Sequence, residues 1–105
     1  MAWIILLIAA LFEVAWAVGL KYTEGFTRLV PSILTILGMA ISMFLLARAA
    51  RSLPIGTAYA VWTGIGALGA ATAGMVLFNE PHHWTRVVCI ALIVSGVVGL
   101  KAYSA

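Results

Sequence analysis

The amino-acid sequence predicts an all-α integral membrane protein, a single transmembrane domain over residues 1–105, and three observations carry that prediction. Hydrophobic residues make up 65% of the chain and charged ones 9%, with a mean hydropathy of +1.17, whereas about a quarter of a soluble domain is charged. Glu13 apart, the charges fall near the ends of, or between, four apolar runs, about 3–22, 29–48, 57–78 and 84–103. Each run comes close to the ~20 residues that a helix rising ~1.5 Å per residue needs to cross ~30 Å of hydrocarbon. Trp3, Tyr22, Trp84 and Tyr103 stand at the ends of runs, where aromatic side chains sit at membrane interfaces.

The same composition excludes several classes. The net charge is +3, but the six basic residues are scattered at helix ends, a pattern that anchors helices at phosphate headgroups and forms no nucleic-acid patch. A single cysteine, Cys89, allows no internal disulfide and makes a zinc site implausible. It reads as a small apolar filler, and neither metal nor cofactor is expected. The first apolar stretch has no basic region before it and contains an acid, so it does not read as a secretory signal. Four short helices cannot enclose a sizeable cavity, which implies that one chain does not form a complete pathway.

Helix 1 ends near Tyr22, and Gly25 supplies the turn after it. Helix 2 opens with Pro31 in its first turn, where a missing N–H does no harm, and closes at Arg48 and Arg51. Pro54 and Gly56 turn the chain into helix 3, which Asn79-Glu80-Pro81 stops. Helix 4 has an uncharged core only from Val87 to Leu100. Snorkelling Arg86 and Lys101, with Trp84 and Tyr103 as interface residues, bring it to spanning length. Four spans place both ends of the sequence on one side.

Glu13 is the only charged residue between Ala2 and Leu20, and it lies within a turn of the bilayer midplane. An ionised, unpaired carboxylate there costs several kcal/mol, so the side chain must face protein or trapped water. Steps of three and four put Ala9, Ala10, Glu13, Trp16, Ala17 and Leu20 on one face. Small residues flank the acid and an indole covers it, as in a cavity wall. The alternative is a protonated carboxyl that only hydrogen-bonds a neighbouring helix.

In helix 3, Gly64-Ile65-Gly66-Ala67-Leu68-Gly69 matches the dinucleotide-binding fingerprint. That motif needs a preceding strand and a following acid, and here the glycines fall within an apolar span, so no nucleotide site follows. Gly64, Gly66 and Gly69 serve either close helix contact or a hinge. Tyr59 and Trp62 lie one turn apart on the face that continues into Gly66 and Gly69. They either anchor the helix at the interface or offer N–H, O–H and ring faces to a cation. In helix 2, Gly38 and Ser42 share a face. The Ser42 hydroxyl can donate to a carboxylate or to its own backbone. Met39 and Met43 form an adaptable neighbouring stripe. In helix 4, Ala91, Ser95 and Gly99 recur at steps of four with Gly96 beside them, the small-residue pattern of close helix association, so this helix is expected to form a dimer interface. His82 and His83 read as solvated, without partners.

The segments Phe12 to Ala17 (FEVAWA), Leu20 to Tyr22 (LKY), Leu53 to Gly66 (LPIGTAYAVWTGIG) and Gly99 to Lys101 (GLK) together resemble the small multidrug resistance transporters, in particular their guanidinium-exporter branch. The resemblance covers essentially the whole chain. It implies proton-coupled export across the cytoplasmic (inner) membrane by an antiparallel, dual-topology homodimer, whose two Glu13 carboxylates bind either protons or substrate. Trp16, Ser42, Tyr59 and Trp62 match that branch's pocket positions, with Ala10, Gly38, Met39 and Thr63 expected in the wall. One departure is Ala10, where the guanidinium exporters carry glycine.

The expected function is therefore antiport of guanidinium, and of guanidinyl compounds with a small tail, against protons. Guanidinium is planar and permanently charged, and its N–H forks suit a carboxylate. A multidrug exporter of quaternary ammonium ions on the same fold is the nearest rival. A structural or regulatory membrane subunit is a more distant one, and it leaves Glu13 unexplained. No nucleophile–base pair or metal cluster supports an enzyme. Charge counting agrees with dual topology: Arg48, Arg51 and Lys101 on one side oppose Lys21, Arg28 and Arg86 on the other, which gives the positive-inside rule nothing to choose between.

Overall fold

The computed structural model describes residues 1–80 and 83–104, the side chain of Ser104 excepted. The four apolar runs form α1 (Ala2–Tyr22), α2 (Leu29–Ala49), α3 (Ile55–Leu77) and α4 (Trp84–Ser104), each long and apolar enough to cross a membrane. Among the described residues there is no strand.

Local chemistry sets the helix ends. α3 starts at Ile55, two residues before the expected start at Thr57, because the Pro54 carbonyl already accepts the Ala58 N–H at 2.9 Å. In the α1–α2 connection Glu24, Gly25 and Phe26 all have positive φ (49°, 74° and 66°), a conformation suited to glycine and strained for its two neighbours. Buried Thr23 holds this turn: its hydroxyl donates to the Leu20 carbonyl (2.8 Å) and accepts the Phe26 N–H (3.1 Å). After α3, Asn79 takes a left-handed φ of 55° and the chain folds back, so that the Glu80 N–H reaches the Gly74 carbonyl at 3.3 Å. The Glu80 carboxylate pairs with Arg86 at 2.9 Å, and Arg86 also donates to the Ala71 carbonyl at 3.3 Å.

The expected stop at Pro81 and the solvated His82 lie outside the described residues. His83 departs from the expectation of a residue without partners. Its Nδ1 accepts the Thr85 N–H at 3.3 Å and lies 3.1 Å from the Thr85 hydroxyl, so the ring satisfies a donor that the first turn of α4 leaves free.

α1 is the hub. It packs on α2 and on α3, α3 carries α4, and α2 meets α3 only lightly. The Cα envelope measures 41 × 34 × 16 Å, so the helices form a slab and not a closed bundle. The core lies between α1, α2 and α3, where Leu6, Ala9, Ala10, Leu46, Ala49, Ala58, Val61 and Trp62 are buried together. Alanines on α1 let the backbones approach closely. Cys89 does not act as filler: it is exposed, because α4 packs on one neighbour only and leaves its other faces open.

Basic residues mark the two ends of the slab. Lys101 Nζ stands 5.0 Å over the Trp3 ring, joining the end of α4 to the start of α1. Lys21 Nζ stands 5.7 Å over Phe78, joining the end of α1 to the end of α3.

Candidate functional site

Glu13 projects from α1 onto α3. A Cβ at Gly66 would overlap the Glu13 carboxylate, so the acid lies directly on the α3 backbone, in space that only glycine leaves. Gly69 does the same for Val14 one residue along α1, and Gly64 receives Val97 and Ile93 of α4. The three glycines are thus points of close contact in this conformation, and α3 runs unbroken through them. On the other side of α1, Trp16 is seated against α2, where a Cβ at Gly38 would come within 3.2 Å of the Trp16 Cβ.

The polar groups divide into two sets. One set is satisfied. Buried Ser42 donates its hydroxyl to the Ala9 carbonyl at 2.7 Å and accepts the Trp62 indole N–H at 2.9 Å. The Ser42 proton therefore goes neither to a carboxylate nor to its own helix. It crosses to α1 because the close Ala9 backbone offers an acceptor at the level where Ser42 faces it. Trp62, only 6% exposed, is tied into the same chain of bonds. The second set is open. Glu13 Oε1 and Trp16 Nε1 are enclosed and have no hydrogen-bond partner among the described residues. An enclosed polar atom without a partner costs ~1–3 kcal/mol, so α1 carries an unsatisfied acceptor on the side that meets α3 and an unsatisfied donor on the residue seated against α2.

The remaining expected residues are spread around this centre. Ala10 is fully buried in the core and Met39 is half-buried, whereas Thr63 and Met43 are exposed. Tyr59 is 55% exposed, its ring 5.6 Å from that of Trp62 at 46°. In α4, Ala91, Ser95, Gly96 and Gly99 are all exposed. A Cβ at Gly96 or Gly99 would meet nothing within 4 Å, and the Ser95 hydroxyl turns back to the Ala91 carbonyl at 2.9 Å. Among the described residues no group of His, Cys, Asp and Glu could hold a metal ion.

Sequence reasoning missed one participant, and for another it anticipated a close contact without its partner. The Ala9 carbonyl leaves no signal in a sequence, since every residue carries one. Gly66 had a signal, a glycine on the inward face of α3, but which side chain it admits depends on the register of α3 against α1.

Four membrane-length helices, with the Glu13 carboxyl held between α1 and α3, define a multi-pass membrane protein with an acidic residue within its spans. Comparison with known proteins places it further: residues 1–93 match the family described as Small Multidrug Resistance protein, and the chain belongs to that family. It is 62% identical to the Guanidinium exporter of Escherichia coli (strain K12) over 101 residues, covering 96% of each chain. It is 60% identical to the Guanidinium exporter of Yersinia pseudotuberculosis over 104 residues, 99% of this chain and 100% of that one. The corresponding Salmonella typhimurium protein is 61% identical over 101 residues, 96% of each. The chain is a multi-pass protein of the inner membrane.

Proposed function

We propose that this protein exports guanidinium and small guanidinyl compounds in exchange for protons, as an antiparallel homodimer, with Glu13 as the group that both ligands share. The observation that carries this reading is the Glu13 carboxylate laid on Gly66 with one enclosed oxygen lacking a partner, while the Trp16 N–H one turn along α1 is enclosed and unpartnered as well. A guanidinium ion brings N–H forks that match a carboxylate bidentately, and its planar face suits an indole. A proton satisfies the same oxygen. If the site holds one or the other and reorients only when occupied, each must move against the other. Because the two compete for one carboxylate, substrate affinity falls on acidification. Ser42 and Trp62 act in this reading as the frame that fixes α2 and α3 about α1, and exposed Tyr59, its ring against Trp62, is the aromatic residue free to meet a substrate. The names of the enterobacterial relatives support the substrate class.

The test is guanidinium-driven proton movement in proteoliposomes, run beside a tetraalkylammonium ion and an aromatic cation. Wild-type protein should couple guanidinium to protons. Glu13→Gln keeps the size, removes the charge and should lower coupled transport on the order of a hundredfold or more. Robust coupled transport by that variant, or faster movement of the bulky cations than of guanidinium, would overturn the reading.

A further inference from the structure

The two ends of the slab carry equal numbers of basic side chains, but their circumstances differ. At the α1–α2 and α3–α4 connections, Arg28 is paired with Glu24 (3.6 Å) and Arg86 with Glu80 (2.9 Å), while Lys21 lies over Phe78. The three acids of the chain are Glu13, Glu24 and Glu80, so the opposite end has no acidic side chain at all. There Arg48 and Arg51 have no ion-pair partner among the described residues, and both are exposed. They line a recess of about 310 Å³ between the start of α1 and the end of α2, with Ala2, Ile5 and Ser52. The Arg48 guanidinium stands 5.9 Å from the Phe44 ring one turn back along α2. No side chain caps the first turn of α1 at the rim of the same recess.

The geometry points to this recess as a binding site for the phosphate of an anionic membrane phospholipid. Two unpaired guanidinium groups supply bidentate donors for phosphate oxygens, and the Ser52 hydroxyl supplies another. The depth fits a headgroup: Arg48 in the last turn of α2 and Arg51 in the turn after it lie at the end of the slab where Lys101 meets Trp3, an interfacial contact. Ile5 in the lining offers an apolar surface to the first carbons of a lipid chain. Charge complementarity selects an anionic lipid over a zwitterionic one, whose own cation would meet the two arginines. In an antiparallel pair, one such site would face each leaflet.

Native mass spectrometry of the purified protein in detergent tests this, with a short-chain phosphatidylglycerol, the matching phosphatidylcholine and inorganic phosphate as probes. Phosphatidylglycerol should bind saturably and phosphatidylcholine much more weakly. Arg48→Gln with Arg51→Gln should weaken phosphatidylglycerol binding about thirtyfold, at ~1 kcal/mol for each arginine near an anionic headgroup. Arg28→Gln removes one charge at the opposite, ion-paired end and should leave binding within about twofold. The lysine versions, Arg48→Lys and Arg51→Lys, keep the charge and should retain part of the affinity, which covers the case in which the glutamine pair does not fold. Equal binding of both lipids, an equal loss from Arg28→Gln, or displacement of the lipid by inorganic phosphate at matched concentration would overturn the proposal.

Discussion

α1 and α4 are helices of equal length, each with one lysine in its last turn and an aromatic residue near either end, yet their surroundings have little in common. α1 touches two neighbours, buries Leu6, Ala9 and Ala10, and accepts a cross-helix hydrogen bond at the Ala9 carbonyl. α4 packs along α3 alone, meeting α1 only where Lys101 stands over Trp3, and its span buries nothing. Hydrophobicity does not explain the difference, since in lipid an apolar face gains little by leaving the solvent. What α1 has and α4 lacks is polar chemistry. Glu13, Trp16 and the serine bond require protein around them, whereas the small residues of α4 turn a close-approach surface outward with nothing on it. That face is where the second chain of the proposed dimer would pack.

The sharpest way to break this contrast is to deprive α4 of a partner of opposite orientation. Arg48, Arg51 and Lys101 balance Lys21, Arg28 and Arg86, so chains should insert both ways. Adding two or three lysines to one connection should bias insertion, and transport by that variant expressed alone should drop to background. Co-expression of the oppositely biased variant should restore it. Full-rate transport by a strongly one-way variant alone would rule out the antiparallel pair.

Gly66→Ala attacks the α1 side of the contrast. The added methyl would overlap the Glu13 carboxylate, so either the acid moves or the helices part. Overpacking of this kind costs ~1–3 kcal/mol. The variant should unfold earlier in a denaturing-detergent titration and transport guanidinium at least about tenfold more slowly. Unchanged transport would show that Glu13 does not need its seat on α3.

Ala10→Gly acts one turn from the acid. Removing a buried methyl forfeits ~0.8 kcal/mol and glycine weakens a helix by up to ~1 kcal/mol, so a small loss of stability is expected. Its effect on guanidinium transport should stay within about threefold, while rates for alkylated guanidinyl compounds shift more, as competition assays in proteoliposomes would read. An equal shift for all substrates would remove Ala10 from the specificity of the site.

The four spans were legible because apolar runs bounded by charges admit little else, and Glu13 was legible because a lone acid in such a run demands an explanation. The partners of the polar groups were not. Ser42 had two open readings, and its bond to the Ala9 carbonyl is neither of them, since a backbone acceptor on another helix becomes available only once α1 and α2 are in register. Cys89 and His83 were misread for a related reason. Whether a small residue fills a gap, or a ring caps a helix, depends on which neighbour is there.

Gly96→Ala is the smallest expected change within one chain and the cleanest probe of α4. Nothing lies within 4 Å of the position a Cβ would take at Gly96. Alanine also favours a helix over glycine by up to ~1 kcal/mol. Any effect on the isolated protomer should therefore be nil or slightly stabilising, in contrast to Gly66→Ala on the same assay. Between two chains the sign reverses. If α4 meets a second α4 through Ala91, Ser95, Gly96 and Gly99, the methyl keeps the backbones apart and weakens association, by ~1 kcal/mol if one close contact is lost. Measuring monomer–dimer equilibrium in detergent beside unfolding separates the two effects. Weaker association with unchanged unfolding would place the dimer contact on this face. Unchanged association would move it to another face and leave the small-residue stripe of α4 facing lipid.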